Sequence, residues 1–385
     1  MPMTRIASVK AHAVSARLKH PLWTAHEELH SSSVVLVEVR TDDGLTGIGQ
    51  IHGSPLKDIC KYVELLGEVA RGMDAMAQVA VWEKLFSLTS PRATGMGGRD
   101  GLPQPLSRGD RPQIMAAIGG IDSALWDIKG KALGAPVWKL LGGDGKPQFS
   151  YATGGYYELD APLQACADEL ADFVKRGYRA VKLKTAGLSI EKEVERIRLT
   201  RAAIGNDVHL MLDMNAAYDL EDCIRFAHAV EPYGIYWLEE PLHWYLQPAD
   251  FVTLAKNTPI PLAHGEREMT RFTARDFITS GALGFMQFDS TRFAGFTESL
   301  RVSHLAEQHG VRIAPHLVPE VHAHLVSAFP RLGFGVESHG NADRDPLWFE
   351  LFTERAQVRD GMVHLSDLPG FGFEIDWKTV KKYAA

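Results

Sequence analysis

From about residue 149 the chain alternates short apolar runs with longer amphipathic segments. The runs FSYATGG, AVKLK, HLMLDMN, IYWLEEP, PLAHGE, GFMQFD, RIAPH and LGFGVES have the length of strands. Between them PLQACADELADFVKRG, IEKEVERIRLTRAAIG, LEDCIRFAHAV and FTESLRVSHLAEQHG read as helices, several of them ending at the glycine a helix C-terminus prefers. Strands that alternate with helices pair in parallel, and eight is the number that closes a (β/α)8 barrel. The competing α/β solution, a doubly wound sheet, needs a Gly-rich phosphate turn after the first strand, and TGGYYELDAP is no GxGxxG fingerprint.

The first 140 residues follow a different pattern. SSVVLVEVRTDDGLTGIGQ places a DDG turn between two alternating runs, which predicts a hairpin, and MAAIGGIDSALWDIKGKALG predicts a helix. SPRATGMGGRDGLPQPLSRGDRP is rich in Gly, Pro and Arg and marks a long loop. The last residues, VRDGMVHLSDLPGFGFEIDWKTVKKY, lose the barrel rhythm. The expected organisation is a capping domain over 1–140, a barrel over 141–350 and a segment, 351–385, that returns to the cap.

Composition narrows the class. The 385 residues are 45% hydrophobic and 23% charged, and no apolar run reaches the roughly 18 residues a membrane span needs. The N-terminal MPMTRIASVKAHAV has no continuous apolar core of a secretory signal, so a cytoplasmic location is expected. The three cysteines, Cys60, Cys166 and Cys223, are far apart and support neither a disulfide framework nor a zinc knuckle. A net charge of −7 without basic runs argues against a nucleic-acid surface.

Within AVKLK, Lys182 and Lys184 are two apart, so a strand aims both ammonium groups at one place. The later strand ends carry Asp213 and Asn215, Glu239 and Glu240, Glu266, Asp289, His316 and Glu337. From Lys184 through Asp213, Glu239, Glu266, Asp289, His316 and Glu337 the steps are 29, 26, 27, 23, 27 and 21 residues. Each step is about one βα unit, so one polar group arrives per strand at the end of the barrel where catalytic residues collect. Asp213, Glu239 and Glu266 together would repel unless a hard divalent cation joined them, and all-oxygen ligation favours Mg2+ over zinc. Lys184 and His316 are placed to face each other across whatever the metal holds, with Asp289 orienting the imidazole. Lys182, a neighbouring cation, is expected to lower the pKa of Lys184. His322 and His324 in PEVHAHL do not share a helix face and make a poor metal pair.

VKLK, LMLDMN, WLEEP, AHGERE, QFDSTRFAG, the APH ending at His316, GVES and the earlier IDSALWDIKGKALGAPVWKLLGG resemble the enolase superfamily, specifically its mandelate racemase subgroup, over essentially the whole chain. The resemblance implies a modified TIM barrel of (β/α)7β type, with an α+β N-terminal capping domain completed by the C-terminal segment. It also implies a chemistry already known for that superfamily, Mg2+-assisted removal of a proton α to a carboxylate through an enediolate. Carried onto this chain, Asp213, Glu239 and Glu266 become the Mg2+ ligands and Lys184 the base, with the His316–Asp289 pair on the opposite face. Lys182 and Asn215 would touch the substrate carboxylate or the metal shell, Glu337 would donate a hydrogen bond to it if protonated, and Glu240 lies behind the ligands. Arg267 and Glu268 depart from the subgroup, where an Asn often follows the third ligand.

If His316 protonates a departing β-hydroxyl, the enzyme is a dehydratase whose enol product becomes a 2-keto acid. If it returns a proton to the same carbon, it is a racemase or epimerase. Lactonisation is a third outcome, and a catalytically silent binding barrel is the alternative of another class. The subgroup's many sugar-acid dehydratases favour dehydration of an aldonate, an aldarate such as galactarate, or tartrate. The cap is expected to supply specificity through Trp23, His26 and His52, with Arg92 and Arg99 as forks for a distal carboxylate. A homo-oligomer is the family's expectation.

Overall fold

The structure is a computed structural model that describes residues 4–90 and 106–385. Arg92 and Arg99 lie outside the described residues. Among the described residues no helix is long and apolar enough to cross a membrane.

The cap begins with strands β1 (Ile6–Trp23), β2 (Glu28–Thr41) and β3 (Thr46–Ile51), an antiparallel sheet in that order. The expected hairpin is β2–β3, with Val39 opposite Gly47 and Gly44 at φ 93° in the turn. Helices α1 (Leu56–Ala70) and α3 (Arg111–Leu133) pack on it, and α2 (Gln78–Ser87) packs on those two helices. Most of α3 is buried, as expected of a helix apolar nearly all round and enclosed by other elements. It approaches β3 so closely that a Cβ on Gly49 would lie 1.9 Å from the Gly120 carbonyl oxygen, which explains the glycines of GIGQ.

After the short helix α4 (Val137–Leu140) the barrel runs β4 (Gln148–Gly154), α5 (Ala165–Lys175), β5 (Ala180–Lys184), α6 (Ile190–Ile204), β6 (His209–Asp213), α7 (Leu220–Val230) and β7 (Ile235–Glu239). It continues with α8 (Pro248–Asn257), β8 (Leu262–His264), α9 (Arg271–Thr279), β9 (Leu283–Met286), α10 (Phe296–Gln308), β10 (Arg312–Ile313), α11 (Pro319–Val326) and β11 (Val336–His339). Neighbours β4 to β10 pair in sequence, and β11 returns to pair in parallel with β4. The remaining seam is closed by Ile313, whose N–H donates to Leu332 and whose carbonyl accepts from Phe334, both at 2.9 Å. Strands β8 to β10 are shorter than the sequence suggests, so Glu266, Asp289 and His316 stand just past their ends. The backbone there stays tied to its neighbours, with the N–H of His316 donating to the Phe288 carbonyl at 3.0 Å.

The C-terminal segment does two things. After α12 (Pro346–Glu350) and β12 (Phe352–Glu354), strands β13 (Gln357–Arg359) and β14 (Met362–His364) form a hairpin that extends the barrel sheet at β4. Strand β15 (Glu374–Ile375) pairs with β12, and helix α13 (Trp377–Lys382) then brings the chain to the cap, where the Ser15 N–H donates to the Tyr383 carbonyl at 2.8 Å. The segment also meets the cap earlier, where the Phe371 N–H donates to Asp127 Oδ1 and the Gly370 N–H to the Ala135 carbonyl, both at 3.1 Å. Cap and barrel also lock at the start of α10: the Asp122 carboxylate accepts from the Thr297 N–H (2.8 Å) and hydroxyl (2.6 Å), and Trp126 donates to the same hydroxyl at 2.9 Å.

Candidate active site

A cavity of about 510 Å³ opens between the cap and the C-terminal ends of the barrel strands, and Lys184, Asn215, Glu266, Arg267, Arg292 and His316 line it. Positive φ in non-glycine residues is concentrated just after the strand ends, at Ala186, Asn215, Ala216, Glu240, Ala294, Leu317 and Val318. Backbone held in this sparsely populated region is typical of functional sites.

Both lysines of the AVKLK run are buried, and both are met by carboxylates. Lys184 Nζ donates to Asp213 Oδ2 at 2.6 Å and lies 5.4 Å over the Tyr156 ring. Lys182 Nζ binds Glu239, stands 2.9 Å from Glu337 and 3.5 Å from Asp213, and is fully enclosed beneath the cavity. The expected depression of the Lys184 pKa is not found. Burial and Lys182 pull it down, but Asp213 and Tyr156 outweigh them and hold the ammonium above its ordinary range. Lys182 is a counter-ion for three carboxylates first and a neighbour of Lys184 second.

His316 Nδ1 faces Asp289 Oδ2 at 3.0 Å, the geometry of an imidazole N–H donating to a carboxylate, and its Nε2 lies 3.3 Å from Glu266 Oε2. Asp289 also accepts from the Thr291 N–H (2.9 Å) and hydroxyl (2.7 Å). Burial acts against its charge, yet His316 and Arg292 hold the Asp289 carboxyl far below the usual range. The orienting pair read from the sequence is thus formed by residues 27 apart, each just past the end of one of two successive strands.

The three carboxylates expected to hold a metal are not gathered as a ready-made set. Among the described residues no group of three or more Asp, Glu, His or Cys side chains stands in ligand geometry. Each carboxylate is instead turned to the nearest donors. Asp213 takes Lys184, and Glu239 takes Lys182, Trp237 Nε1 (3.1 Å) and Gln287 Nε2 (2.7 Å). Glu266 takes Arg292 at 3.1 Å. The donor chemistry nevertheless fits a hard cation. The six carboxyls Asp213, Glu239, Glu240, Glu266, Asp289 and Glu337 face four cations, Lys182, Lys184, Arg267 and Arg292, a shortfall of two positive charges before His316. The surplus is felt at Glu240, pushed up to about 8 by burial and by Glu266 against the pull of Arg267. Among the described residues Asn215 Oδ1 has no hydrogen-bond partner, and Glu266 Oε2 has only the 3.3 Å approach of His316 Nε2.

Other expectations are redistributed. Glu337 does not line the cavity. It accepts from Thr153 and Lys182, and although burial raises its pKa, Lys182, His316 and Lys184 lower it further, so it is an ionised acceptor and not a protonated donor. His52 lines the cavity and is kept neutral, pushed down to about 4 chiefly by burial. Trp23 and His26 do not line it. Trp23 exchanges backbone hydrogen bonds with Tyr157, and His26 contacts the Ala216 carbonyl (3.1 Å) and Trp244; the cap instead contributes Thr24, Glu27 and Leu29. Sequence reasoning passed over Tyr156 and Arg292. The one visible signal for Arg292 was its place three residues after Asp289, which it approaches at 3.6 Å. Arg267 is used by Glu240 at 3.1 Å, and Glu268 faces His264 at 3.4 Å. His322 and His324 are structural: His322 Nε2 meets the Ser290 hydroxyl at 2.7 Å, and His324 Nδ1 accepts from the Trp138 N–H at 3.0 Å.

A parallel barrel with carboxylates, lysines and a His–Asp pair at its C-terminal mouth, closed by an α+β cap, defines a class. The family described as "Enolase C-terminal domain-like" matches residues 165–379, and "Mandelate racemase / muconate lactonizing enzyme, N-terminal domain" matches residues 6–142. The chain belongs to the enolase superfamily, in its mandelate racemase and muconate lactonizing enzyme branch. It is 28% identical to an arabinonate dehydratase of Saccharolobus solfataricus, over 90% of this chain and 89% of that one. It is 30% identical to a D-galactarolactone cycloisomerase of Agrobacterium fabrum, over 97% of both. Its structure superposes with a TM-score of 0.86 on L-talarate/galactarate dehydratase from Salmonella typhimurium liganded with Mg and L-lyxarohydroxamate, at 26% identity over 100% of this chain and 94% of that one.

Proposed function

We propose that this chain is a sugar-acid dehydratase, a carbon–oxygen lyase that takes the proton α to the carboxylate of a hydroxy acid and eliminates its β-hydroxyl to give a 2-keto-3-deoxy acid. The observation that carries the reading is that Lys184 and His316, from opposite sides of the barrel mouth, line one cavity, with His316 anchored from behind by Asp289. The named relatives support it, two of the three being acid-sugar dehydratases.

Asp213, Glu239 and Glu266 would hold Mg2+, the ion named with the Salmonella relative. When bound, the ion supplies positive charge for the substrate carboxylate and for the negative charge that develops as the α-proton leaves. Lys184 Nζ takes that proton as the neutral amine, after its bond to Asp213 is released and the ammonium has given up its own proton to solvent. His316, as the imidazolium, delivers its Nε2 proton to the departing hydroxyl and is left neutral with the proton on Nδ1, which Asp289 holds. Asn215 Oδ1, buried and unpaired, is available to a substrate hydroxyl.

The Agrobacterium relative favours a second reading, in which the same abstraction ends in isomerisation. The experiment is a screen of mono- and diacid sugars and their lactones with Mg2+ in deuterated water, followed by NMR, with thermal melting in Mg2+ and in EDTA beside it. Keto acid from one or a few acids, with a melting point raised by Mg2+, is the expected result. Lactone isomers, epimers or α-exchange without keto acid would replace the dehydratase by an isomerase.

A further inference from the structure

A second cavity, about 390 Å³, adjoins the first over β11 and β4, and the two share His52, Tyr156, Arg292 and Leu317 in their walls. Its chemistry is different. Strand β11 repeats the spacing of the two lysines: Glu337 and His339 are two apart and share a face. His339 is paired across the ladder with Thr153 of β4, and Thr153 in turn with Lys182 of β5, so His339 stands two strands from the lysine pair in the same row.

His339 is the centre of a second histidine–aspartate pair. Its Nδ1 meets Asp345, which is fixed from the other side by the Ser32 hydroxyl at 2.6 Å. The ring packs on Trp348 with centroids 5.0 Å apart. The side chain is 9% exposed, and its other nitrogen, Nε2, is buried without a hydrogen-bond partner among the described residues. An unmet polar atom in a polar cavity calls for a partner. Hydroxyls of Ser31, Ser33, Ser54 and Thr153 and the amide of Asn341 line the same space.

The charges in these walls are already matched. Arg344 donates to Glu169 and to the Thr153 carbonyl, both at 2.7 Å, and lies 4.6 Å over the Tyr156 ring. Arg292 is held by Glu266 and Asp289, and Asp345 by His339. Among the described residues the cavity offers no uncommitted cation to a second carboxylate. The Thr153 hydroxyl is used by Glu337 and the Asn341 amide by Glu169, so the cavity offers the hydroxyls of Ser31, Ser33 and Ser54 and a free imidazole nitrogen, which suit alcohol groups.

We infer that the His339–Asp345 compartment receives the neutral polyhydroxyl tail of the substrate, so that the preferred acids are aldonates and not aldarates. This rests on the sugar-acid reading of the adjoining site. His339 Nε2 is the hydrogen-bonding partner of a tail hydroxyl, and Asp345 is a positioning residue that sets which nitrogen of His339 faces the tail.

The test compares hexonates with the hexarates that differ only in oxidation of the terminal carbon, galactonate and galactarate among them, using the Mg2+-loaded protein. Both turnover and equilibrium binding by calorimetry are measured, alongside three-carbon glycerate as the acid without a tail. The hexonate is expected to exceed its hexarate about a hundredfold in kcat/KM, because the terminal carboxylate would meet no uncommitted cation among the described residues. In His339→Ala the preference for hexonate over glycerate should fall about tenfold, carried by KM, with a smaller fall in Asp345→Asn. A preferred hexarate, or equal losses for hexonate and glycerate, overturns the compartment while dehydration itself stands. Tail-dependent binding that His339→Ala removes, in the absence of any keto acid, upholds the compartment and overturns the dehydratase reading. If no acid binds with a preference for its tail, the compartment is wrong whatever the reaction.

Discussion

Along β7 the inward side chain changes from Trp237 to Glu239 in two residues, and along β6 from Met211 to Asp213. The paths past β9 and β10 run from Phe285 to Gln287 and Asp289 and from Ala314 to His316. Consecutive inward residues of a strand are only about 7 Å apart. The lower layer is an aromatic plug: Trp237 lies 4.8 Å from Phe285 and 5.3 Å from Tyr151 and Phe334, measured between ring centroids. The layer directly above holds nearly every charge of the site. A floor that excludes water leaves those charges to answer one another at low dielectric, where pairing is strong and an unpaired group is costly. The two layers meet where Trp237 Nε1 donates to Glu239 and where Lys182 Nζ stands 5.7 Å over the Tyr151 ring.

The sharpest way to break this comparison is to remove the groups of the upper layer that reach the cavity. Lys184→Ala and His316→Asn should each lower kcat by about 10³-fold. Lys184→Ala should also lose α-proton exchange, while His316→Asn keeps exchange but yields no keto acid. Full dehydration by both, read by NMR, would detach the layer from the chemistry. Next in size, Lys182→Met leaves Glu239, Glu337 and Asp213 without their shared ammonium, and should cost about 3–5 kcal/mol in urea unfolding. A loss under about 1 kcal/mol would mean that the floor does not isolate these charges.

A buried histidine away from the charged layer supplies the contrast to His316. His324 has a backbone N–H and a carbonyl as partners, and burial pushes its pKa down to about 4. The fold therefore holds it neutral. Its contribution to stability is complete above the unfolded value of about 6.5 and is lost as pH falls toward 4, a total of about 3 kcal/mol. Unfolding free energies at pH 7 and pH 4, compared between wild type and His324→Gln, should differ by that amount; parallel curves would show that burial does not control this ring. The smallest effect belongs to the seam itself. Trp237→Phe removes the Glu239 bond but keeps an aromatic floor, and should cost about 1–2 kcal/mol. A much larger loss would show that the two layers are one unit.

Much of this site was legible because a parallel barrel converts spacing into position. Strand and helix together take about one βα unit, so polar residues recurring at that interval must arrive at one end, and Lys184, Asp289 and His316 could be placed before any coordinates. The family, too, was carried by local motifs such as VKLK and WLEEP. The cap was harder. Nothing in HPLWTAHEELHSSS distinguishes Trp23 and His26, which serve the domain contact, from Leu29 and Ser32, which line the cavities or hold Asp345.

The sequence by itself determined the architecture and which chemical groups stand at the barrel mouth, because both follow from periodicity and local order. Only the tertiary structure decided how those groups are paired. Lys182 with Glu337, Arg292 with Glu266 and His339 with Asp345 are choices among several charges of similar reach. Burial makes those choices, since each charge taken from water settles on the donors and acceptors the packed fold leaves within a few ångströms.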